Sequence, residues 1–136
     1  MSQANVETAR RWFEEVWNRR DVEVIGALSA PDSVGHLASG DVGSIDEFKR
    51  LHAEFLSALP DLHITIEDTV ADGDNVVVRW VVTGSHGGEG FGCPPTGCQI
   101  SERGMTWMRF RDGQIQEAWD AWNLGALFAQ LRGVTV

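Results

Sequence analysis

Hydrophobic side chains in the first half of the chain recur every three or four positions, which is the spacing of amphipathic helices. This pattern predicts helices over residues 3–18 and 22–28, and a third helix from Ser44 to about Leu59. Ser44 and Glu47 have the spacing of a capping box, which indicates where the third helix begins. Residues 33–43 are predicted to form a loop or a short strand.

After Pro60 the apolar positions alternate, which is typical of β-strands with one buried face. The alternation predicts strands that begin at Leu62 and then cover residues 75–86, 99–111 and 115–123. Asp-Gly pairs in residues 72–75 and 111–114 predict hairpin turns, and a closing helix or turn follows over 124–131. Helices followed by an antiparallel meander indicate an α+β fold. We expect a curved sheet of about four long strands that wraps around the N-terminal helices as a cone, with a pocket at its open end.

The strand over residues 75–86 is apolar on both faces. Val76, Val78 and Trp80 share one face, while Val77 and Val81 lie on the other. Two apolar faces indicate that both are covered. The helices cover one face, and in a chain this short a second subunit is the simplest cover for the other. The sequence therefore predicts a homodimer that forms through the sheet.

Composition limits the classes of function. The chain has 136 residues, which predicts a single domain over 1–136, and its formal net charge is −9. Nucleic acid and anionic lipid both carry negative phosphates, so neither is an expected partner. No apolar run is long enough to cross a bilayer and no signal peptide is evident, so we expect a cytoplasmic protein. Cys93 and Cys98 are interpreted as reduced and structural, with a strained turn disulfide as the alternative.

Asp120 is the candidate catalytic residue. It lies between Trp119 and Trp122, and a carboxyl group held among indole rings has a raised pKa that suits acid or base catalysis near neutral pH. Alternation in this strand places Gln116, Ala118, Asp120 and Trp122 on one face and Ile115, Glu117, Trp119, Ala121 and Asn123 on the other. It leaves open whether Asp120 faces the pocket, the subunit interface or solvent.

Histidines supply the other candidates for polar chemistry. His52 is the one polar member of the third helix's apolar stripe, so it is either a satisfied core residue or a functional one. His86 ends a strand at a glycine-rich connection, and His36 lies in the loop after the second helix. Their spacing matches no metal motif, and the glycine-rich segments lack the context of a phosphate-binding loop. We predict neither a metal nor a cofactor.

Several short segments carry a family resemblance through their order and spacing. They are Leu51-His52-x-x-Phe55, Leu59-Pro60-Asp61-Leu62, residues 73–79, Gly84-Ser85-His86-Gly87, residues 92–97, residues 111–115 and the terminal segment 119–131. Together they resemble the SnoaL-like polyketide cyclases of the nuclear transport factor 2-like superfamily, over nearly the whole chain.

The resemblance implies a cone-shaped α+β barrel that is usually dimeric through the sheet and has no cofactor. In the cyclases a carboxylate on the last strand is the general acid/base for intramolecular aldol closure of a polyketide, and Asp120 matches that position. The resemblance therefore places Asp120 in the pocket. We assign substrate-binding roles to six further residues: His52, His86, Thr106, Trp17 and Trp122 in the pocket, and His36 near its mouth. Aromatic polyketide cyclases carry a His where this chain has Thr106 and a Gln where it has Gly104, so the substrate can differ.

Three hypotheses follow. The first is a cofactor-independent acid/base enzyme that acts on a small, apolar, polyketide-like carbonyl compound through Asp120. The second is a non-catalytic module of the same fold that binds a small apolar ligand, and the absent His and Gln motivate it. The third is a relative that hydrates its substrate or opens an epoxide, which needs a second polar group to hold the attacking water.

Overall fold

A computed structural model of the protein describes residues 2–92 and 94–133. The chain opens with α1 (Ser2–Arg11), which continues as a π-helical segment, Trp12–Asn18. The other helices are α2 (Glu23–Leu28), α3 (Ile45–Ala58) and α4 (Leu124–Leu131). The strands are β1 (Ser29–Leu37), β2 (Gly40–Val42), β3 (His63–Asp72), β4 (Asn75–Ser85), β5 (Gln99–Arg111) and β6 (Gln114–Trp122).

The strands form one curved, open sheet in the order β2-β1-β6-β5-β4-β3, which confirms the α+β prediction. Strands β3 to β6 are the predicted antiparallel meander. The sheet also contains one parallel pair outside this meander, because β1 runs parallel to β6. Alternation did not reveal β1, whose residues after Ala30 are all partly or fully exposed and include Pro31 and Gly35. The sheet does not close into a barrel.

Local signals in the sequence account for several element boundaries. The Ser44 hydroxyl accepts a hydrogen bond from the Glu47 amide at 3.1 Å and caps α3, as the capping-box spacing predicts. The two predicted hairpins are present, with Asp72 paired to Asn75 and Arg111 paired to Gln114. In the second hairpin Asp112 and Gly113 have φ of 53° and 78°, the left-handed geometry of a two-residue turn that follows the twist of the strands.

The hydrophobic core lies between the concave face of the sheet and the helices. Strands β4 and β5 supply one side of it, and α1, the π-helical segment, α3 and α4 supply the other. Its sheet side includes Val76, Val78, Trp80, Val82, Met108 and Phe110, and its helix side includes Ala9, Phe13, Val16, Phe55, Leu59, Leu127 and Leu131. This arrangement is the predicted helical cover on one face of the meander.

The π-helical segment changes which side chains share a face. Its wider turn is visible in the hydrogen bond from the Arg19 amide to the Glu14 carbonyl, five residues back, at 2.9 Å. In an α-helix Trp12 and Trp17 would point in directions well apart. Here both contact Phe48 of α3 and both face the interior of the cone. A pattern search at the α-helical period does not detect this pairing.

A β-bulge near the start of β6 alters the predicted alternation. Arg109 pairs with Glu117 and the next residue, Phe110, pairs with Ile115, so Gln116 is the extra residue. Ile115 is therefore buried on the concave side, where half-buried Ala118 also lies, and its predicted place on the face opposite Asp120 is wrong. Beyond the bulge, Asp120 and Trp122 keep the alternation and face inward.

The outer face of the sheet leaves apolar side chains uncovered within the chain. Val70 is 66% exposed, Met105 49% and Trp107 46%. Trp107 lies 5.7 Å from Trp119 between ring centroids, and Arg109 lies 5.1 Å from the centre of the Trp119 ring. The face thus carries an apolar strip, with the Arg109 guanidinium against the Trp119 ring.

No helix in the described part of the chain is long and apolar enough to cross a membrane. Cys98 has a free thiol, whereas Cys93 lies outside the described residues, so the prediction for the pair stays a prediction.

Gly104 of β5 gives the first testable prediction. A Cβ at this position would lie 2.6 Å from Cη2 of Trp80 and 2.7 Å from Cβ of Trp122, both from the neighbouring strands. We expect Gly104→Ala to lower the free energy of unfolding by about 1–3 kcal/mol, since overpacking displaces well-packed side chains. Urea denaturation measures the change.

Gly26 provides the matched control. It lies inside α2 and has open space where a Cβ would be added. Gly26→Ala should raise the stability by about 0.5–1 kcal/mol, because alanine loses less backbone entropy in a helix. If Gly104→Ala is as stable as the wild type, the described packing of Trp80 against Trp122 is wrong.

Candidate active site

A cavity of about 130 Å³ occupies the interior of the cone. Its walls come from the π-helical segment, α3, β1 and the concave face of β4 to β6. The exposed residues Ala38 and Ser39, at the turn between β1 and β2, form part of its rim. The aromatic side chains in the lining are Trp12, Phe13, Trp17, Phe48, Phe55, Trp80 and Trp122.

Asp120 is the one ionisable residue in this lining among the described residues. It is half-buried on β6, and its Oδ1 accepts a hydrogen bond from the Thr106 hydroxyl of β5 at 2.7 Å. The two residues are direct partners across the antiparallel pair, which places their side chains next to each other on the concave face. The cavity therefore contains a single carboxyl group in apolar surroundings.

The surroundings change the acidity of this group. Removal from water raises the pKa of Asp120 from 3.8 to about 6, and the hydrogen bond from Thr106 opposes this rise in part. A carboxyl group with a pKa near 6 is mostly ionised at neutral pH, yet it is a far stronger base than an ordinary aspartate. Such a group can both take and return a proton under physiological conditions.

Trp80 completes the polar arrangement. Its indole Nε1 donates a hydrogen bond to the Thr106 hydroxyl oxygen at 2.9 Å. Its ring packs edge-on against Trp122 at 5.4 Å between centroids, in the space that Gly104 leaves open. Sequence reasoning assigned Trp80 to the core and missed this role. The available signal was Gly104 itself, because a glycine inside a strand often marks a close approach of neighbouring groups.

The structure places Asp120, Thr106, Trp17 and Trp122 around the cavity, and their roles in catalysis and binding stay predictions. It does not bring the predicted histidines there. His52 is 3% exposed, and its Nε2 donates to the Val16 carbonyl at 2.6 Å. Burial lowers the pKa of His52, so it is a neutral core residue that ties α3 to the π-helical segment. Its ring supports Trp17 from behind, at 4.8 Å between centroids.

His86 is fully buried outside the cavity. Its Nδ1 donates to the Leu131 carbonyl at 2.9 Å, so it joins the end of β4 to the end of α4. The prediction that His86 is a pocket donor is therefore corrected, because His86 is absent from the cavity lining and its Nδ1–H is used by the Leu131 carbonyl.

The prediction placed His36 near the pocket mouth. The structure places it on the outer side of β1 instead. Its ring stacks on Trp119 at 5.5 Å, and its nitrogens contact Asp41 at 2.9 Å and Glu117 at 2.6 Å. The hydrogen bonds that the His36 ring donates to Glu117 and then to Asp41 raise the pKa of His36. Strand parity explains the correction, because His36 pairs with the outward-facing Trp119.

The described residues contain no group of three or more His, Cys, Asp or Glu side chains arranged to hold a metal ion. The cavity lining likewise offers, within the described chain, no second carboxylate and no side-chain amide beside Asp120. What the site can do is transfer a proton through Asp120 to or from an apolar molecule bound against the aromatic walls.

The open, curved sheet around a helical layer, with an acid inside, defines a nuclear transport factor 2-like cavity protein. The family model for the SnoaL-like polyketide cyclases matches residues 7–131. The chain therefore belongs to this family, which confirms the resemblance drawn from its short motifs.

Solved structures agree with this membership. A proposed SnoaL-like polyketide cyclase from Jannaschia sp. CCS1 is 27% identical, with a TM-score of 0.89 over 98% of this chain and 95% of that one. AclR, a proposed hydroxylase from Streptomyces galilaeus, is 30% identical, with a TM-score of 0.87 over 100% and 85%. IdmH, a proposed polyketide cyclase from Streptomyces antibioticus, is 31% identical, with a TM-score of 0.79 over 94% and 98%. No curated protein sequence matches the chain.

The raised pKa of Asp120 predicts how stability depends on pH. The folded protein binds the proton of the Asp120 carboxyl group more tightly than the unfolded chain does. The free energy of unfolding therefore falls as pH rises from about 4 through about 6. Asp120→Asn removes the buried charge but keeps an oxygen that accepts from Thr106. We expect the variant to be more stable than the wild type by about 1–3 kcal/mol at pH 8, with the difference narrowing below about pH 6. Urea denaturation at pH 5 and pH 8 tests this.

Asp61 supplies a control of opposite sign. Its Oδ1 accepts from the Ser85 amide at 2.7 Å, and this bond lowers the pKa of Asp61. Asp61→Asn should therefore destabilise the protein at pH 8, and the difference should shrink as pH falls through the low pKa of Asp61. An Asp120→Asn variant that is less stable than the wild type at pH 8 would contradict the conclusion that removal from water destabilises the charge of Asp120.

Proposed function

We propose that the protein is a cofactor-independent acid/base enzyme of the polyketide cyclase type, with Asp120 as the group that transfers the proton. The observation that carries the proposal is the isolation of this carboxyl group in an apolar, aromatic cavity, with a pKa of about 6. Family membership supports the class of chemistry. The proposed substrate is a small apolar compound with neighbouring carbonyl groups.

The reaction needs little machinery. A methylene group between two carbonyls is an unusually acidic carbon acid, and ionised Asp120 takes one of its protons to leave a delocalised enolate. The enolate carbon attacks a second carbonyl of the same molecule, forming a carbon–carbon bond and an alkoxide. Protonated Asp120 then returns its proton to that alkoxide, so the carboxylate is regenerated. Intramolecular aldol closure thus uses a single residue as base and then as acid.

The cavity contributes orientation. Its volume of about 130 Å³ resembles the ~150 Å³ cavities that hold a benzene-sized ring, so it accommodates the reacting end of a substrate. The remainder of a longer molecule would extend through the opening near Ala38 and Ser39. Aromatic walls restrict the chain to folded conformations in which the two carbons meet, and this restriction lowers the entropic part of the barrier.

Two alternatives are distinguishable. Water addition or epoxide opening requires a second group that holds the attacking water, and the described lining has no second carboxylate or amide to do so. A non-catalytic binding module would use the same apolar cavity without needing the acid. The charge in the cavity argues against pure storage, because an ionised carboxylate weakens the burial of an apolar ligand.

Replacement of Asp120 tests the proposed chemistry. We expect Asp120→Asn to reduce proton exchange about 10²–10⁴-fold, since that is the usual contribution of a positioned acid/base. Deuterium incorporation at the methylene group of a panel of aryl β-keto esters in D₂O, followed by NMR, measures the rate. Glu117→Gln is the matched control, because Glu117 lies on the same strand with its carboxylate on the outer face, beside Arg109 and His36. It should retain the wild-type rate.

The outcomes separate the hypotheses. Equal rates for Asp120→Asn and the wild type would refute the catalytic assignment. Binding of the aryl β-keto esters by the wild type without any catalysed exchange would favour the binding module.

We also propose that two copies associate through the outer faces of their sheets. Met105 and Trp107 are about half exposed there, and half-buried Val77 and Val81 lie beside them. Such a patch of apolar side chains on a soluble domain typically marks an interaction surface.

Substitution on this face tests the dimer. Trp107→Glu should convert the dimer into a monomer at micromolar concentration, because it places a charge in an apolar interface. Sedimentation velocity measures the change in mass. Gln3→Glu, an exposed change on α1, adds the same charge on the helical side and should leave the dimer intact. A monomeric wild-type protein would contradict the proposal.

A further inference from the structure

The Thr106 hydroxyl lies between the buried Trp80 indole and the half-buried Asp120 carboxylate. Trp80 Nε1 is 2.9 Å from Thr106 Oγ1, and Thr106 Oγ1 is 2.7 Å from Asp120 Oδ1. Thr106 is 4% exposed and Trp80 is 5% exposed. The three residues come from three adjacent strands, β4, β5 and β6, so the sheet itself fixes their separations.

The donor and acceptor properties of the three groups fix the direction of this hydrogen-bond chain, from Trp80 to Thr106 to Asp120. An indole N–H can only donate, so the Thr106 oxygen accepts from Trp80. An ionised carboxylate can only accept, so the Thr106 hydrogen points at Asp120 Oδ1. The hydroxyl is thereby held as a donor to the carboxylate, and it uses its single hydrogen to do so.

The second carboxylate oxygen has a different environment. No hydrogen bond from the described residues reaches Oδ2 of Asp120. Oδ2 is also absent from the buried polar atoms that lack a partner in the described chain, which are His86 Nε2 and Gln116 Oε1. Oδ2 is therefore the carboxylate oxygen that remains accessible to a molecule in the cavity.

We propose that Trp80 is a positioning residue: its indole N–H locks the Thr106 hydroxyl onto Oδ1, so that Oδ2 is the oxygen that exchanges a proton with the substrate. This inference rests on the proposed function only for the identity of the reacting group. The hydrogen-bond chain itself is a property of the resting protein.

The hydrogen bond from Trp80 matters because the Thr106 hydroxyl would otherwise be free either to donate to Asp120 or to accept from it. A free hydroxyl can rotate and accept from the protonated form of Asp120 as readily as it donates to the ionised form. With Trp80 donating to one lone pair of the oxygen, the hydroxyl hydrogen points at Asp120. If the hydroxyl accepted from protonated Asp120 instead, its own hydrogen would lose its acceptor, and the described residues supply no other. The hydrogen-bond chain therefore favours the ionised form of Asp120 and opposes the effect of burial.

Gly104 makes this arrangement sterically feasible. A side chain there would overlap the Trp80 ring, whose Cη2 would be 2.6 Å from a Cβ added at residue 104. Trp122 supports the other side of the indole through an edge-on contact. The ring is thus clamped in the plane that directs Nε1 at Thr106.

The test is a direct titration of Asp120 without substrate. The carboxyl ¹³C shift of Asp120 is followed by NMR against pH in the wild type and in Trp80→Phe, Thr106→Val and Thr106→Ser. We expect Thr106→Val to raise the pKa by about one pH unit, the size expected for loss of a hydrogen bond to a charge. Trp80→Phe keeps an aromatic ring but removes the N–H donor. It should also raise the pKa of Asp120, by less than Thr106→Val does. Thr106→Ser keeps the hydroxyl and should titrate like the wild type.

A second measurement covers the case in which Trp80→Phe does not fold. The ¹H and ¹⁵N shifts of the Trp80 indole in the wild type should titrate with the same midpoint as Asp120, and Asp120→Asn should abolish that titration. A Trp80→Phe variant with the wild-type pKa, or an indole signal that does not change across this range, overturns the inference.

Kinetics separate the two levels of the proposal. A base with a higher pKa becomes ionised at higher pH, so the rising limb of the pH–rate profile for proton exchange moves toward higher pH. We expect Trp80→Phe to show this shift. A purely structural role for Trp80 would instead lower the rate at every pH. If Asp120→Asn retains full exchange while the titrations behave as expected, the proposed function fails and the hydrogen-bond chain stands.

Discussion

The register between β5 and β6 is the constraint on which the site depends. It places Thr106 opposite Asp120 and Gly104 opposite Trp122. Because side chains alternate along a strand, a slip of one residue would turn Asp120 to the outer face and bring Trp119 inward. The bulge at Gln116 lets the hairpin turn and this register coexist, and it keeps Ile115 in the core. The position of the acid is thus a consequence of backbone pairing rather than of the acid itself.

The concave face has to be apolar for the fold to be stable, yet it contains the ionisable carboxyl group of Asp120. An apolar interior stabilises the sheet against the helices, yet it penalises the charge of Asp120. The penalty is offset in part by Thr106, which Trp80 orients. The ionised form of Asp120 therefore costs some stability at neutral pH, as a raised pKa requires.

The helical layer contributes through an irregularity. The π-helical turn directs Trp12 and Trp17 into one cavity, and His52 holds that turn through the Val16 carbonyl. Such single-turn departures from the α-helix are frequent at functional sites, since they redirect side chains without ending the helix. His52, which the sequence left as either a core residue or a functional one, thus has a supporting part in the core.

The sequence by itself determined the periodic elements, the hairpin turns and the α3 cap, because periodicity and turn chemistry are local. It also singled out Asp120 as the candidate acid. It could not determine that β1 pairs in parallel with β6, or which of the candidate side chains reach the cavity, because these depend on contacts between residues far apart in the chain. His36, His52 and His86 carried no local mark that separates a ligand-facing ring from one satisfied by the protein. Only the tertiary structure, by setting strands β4, β5 and β6 side by side, placed Trp80, Thr106 and Asp120 in one hydrogen-bonded row.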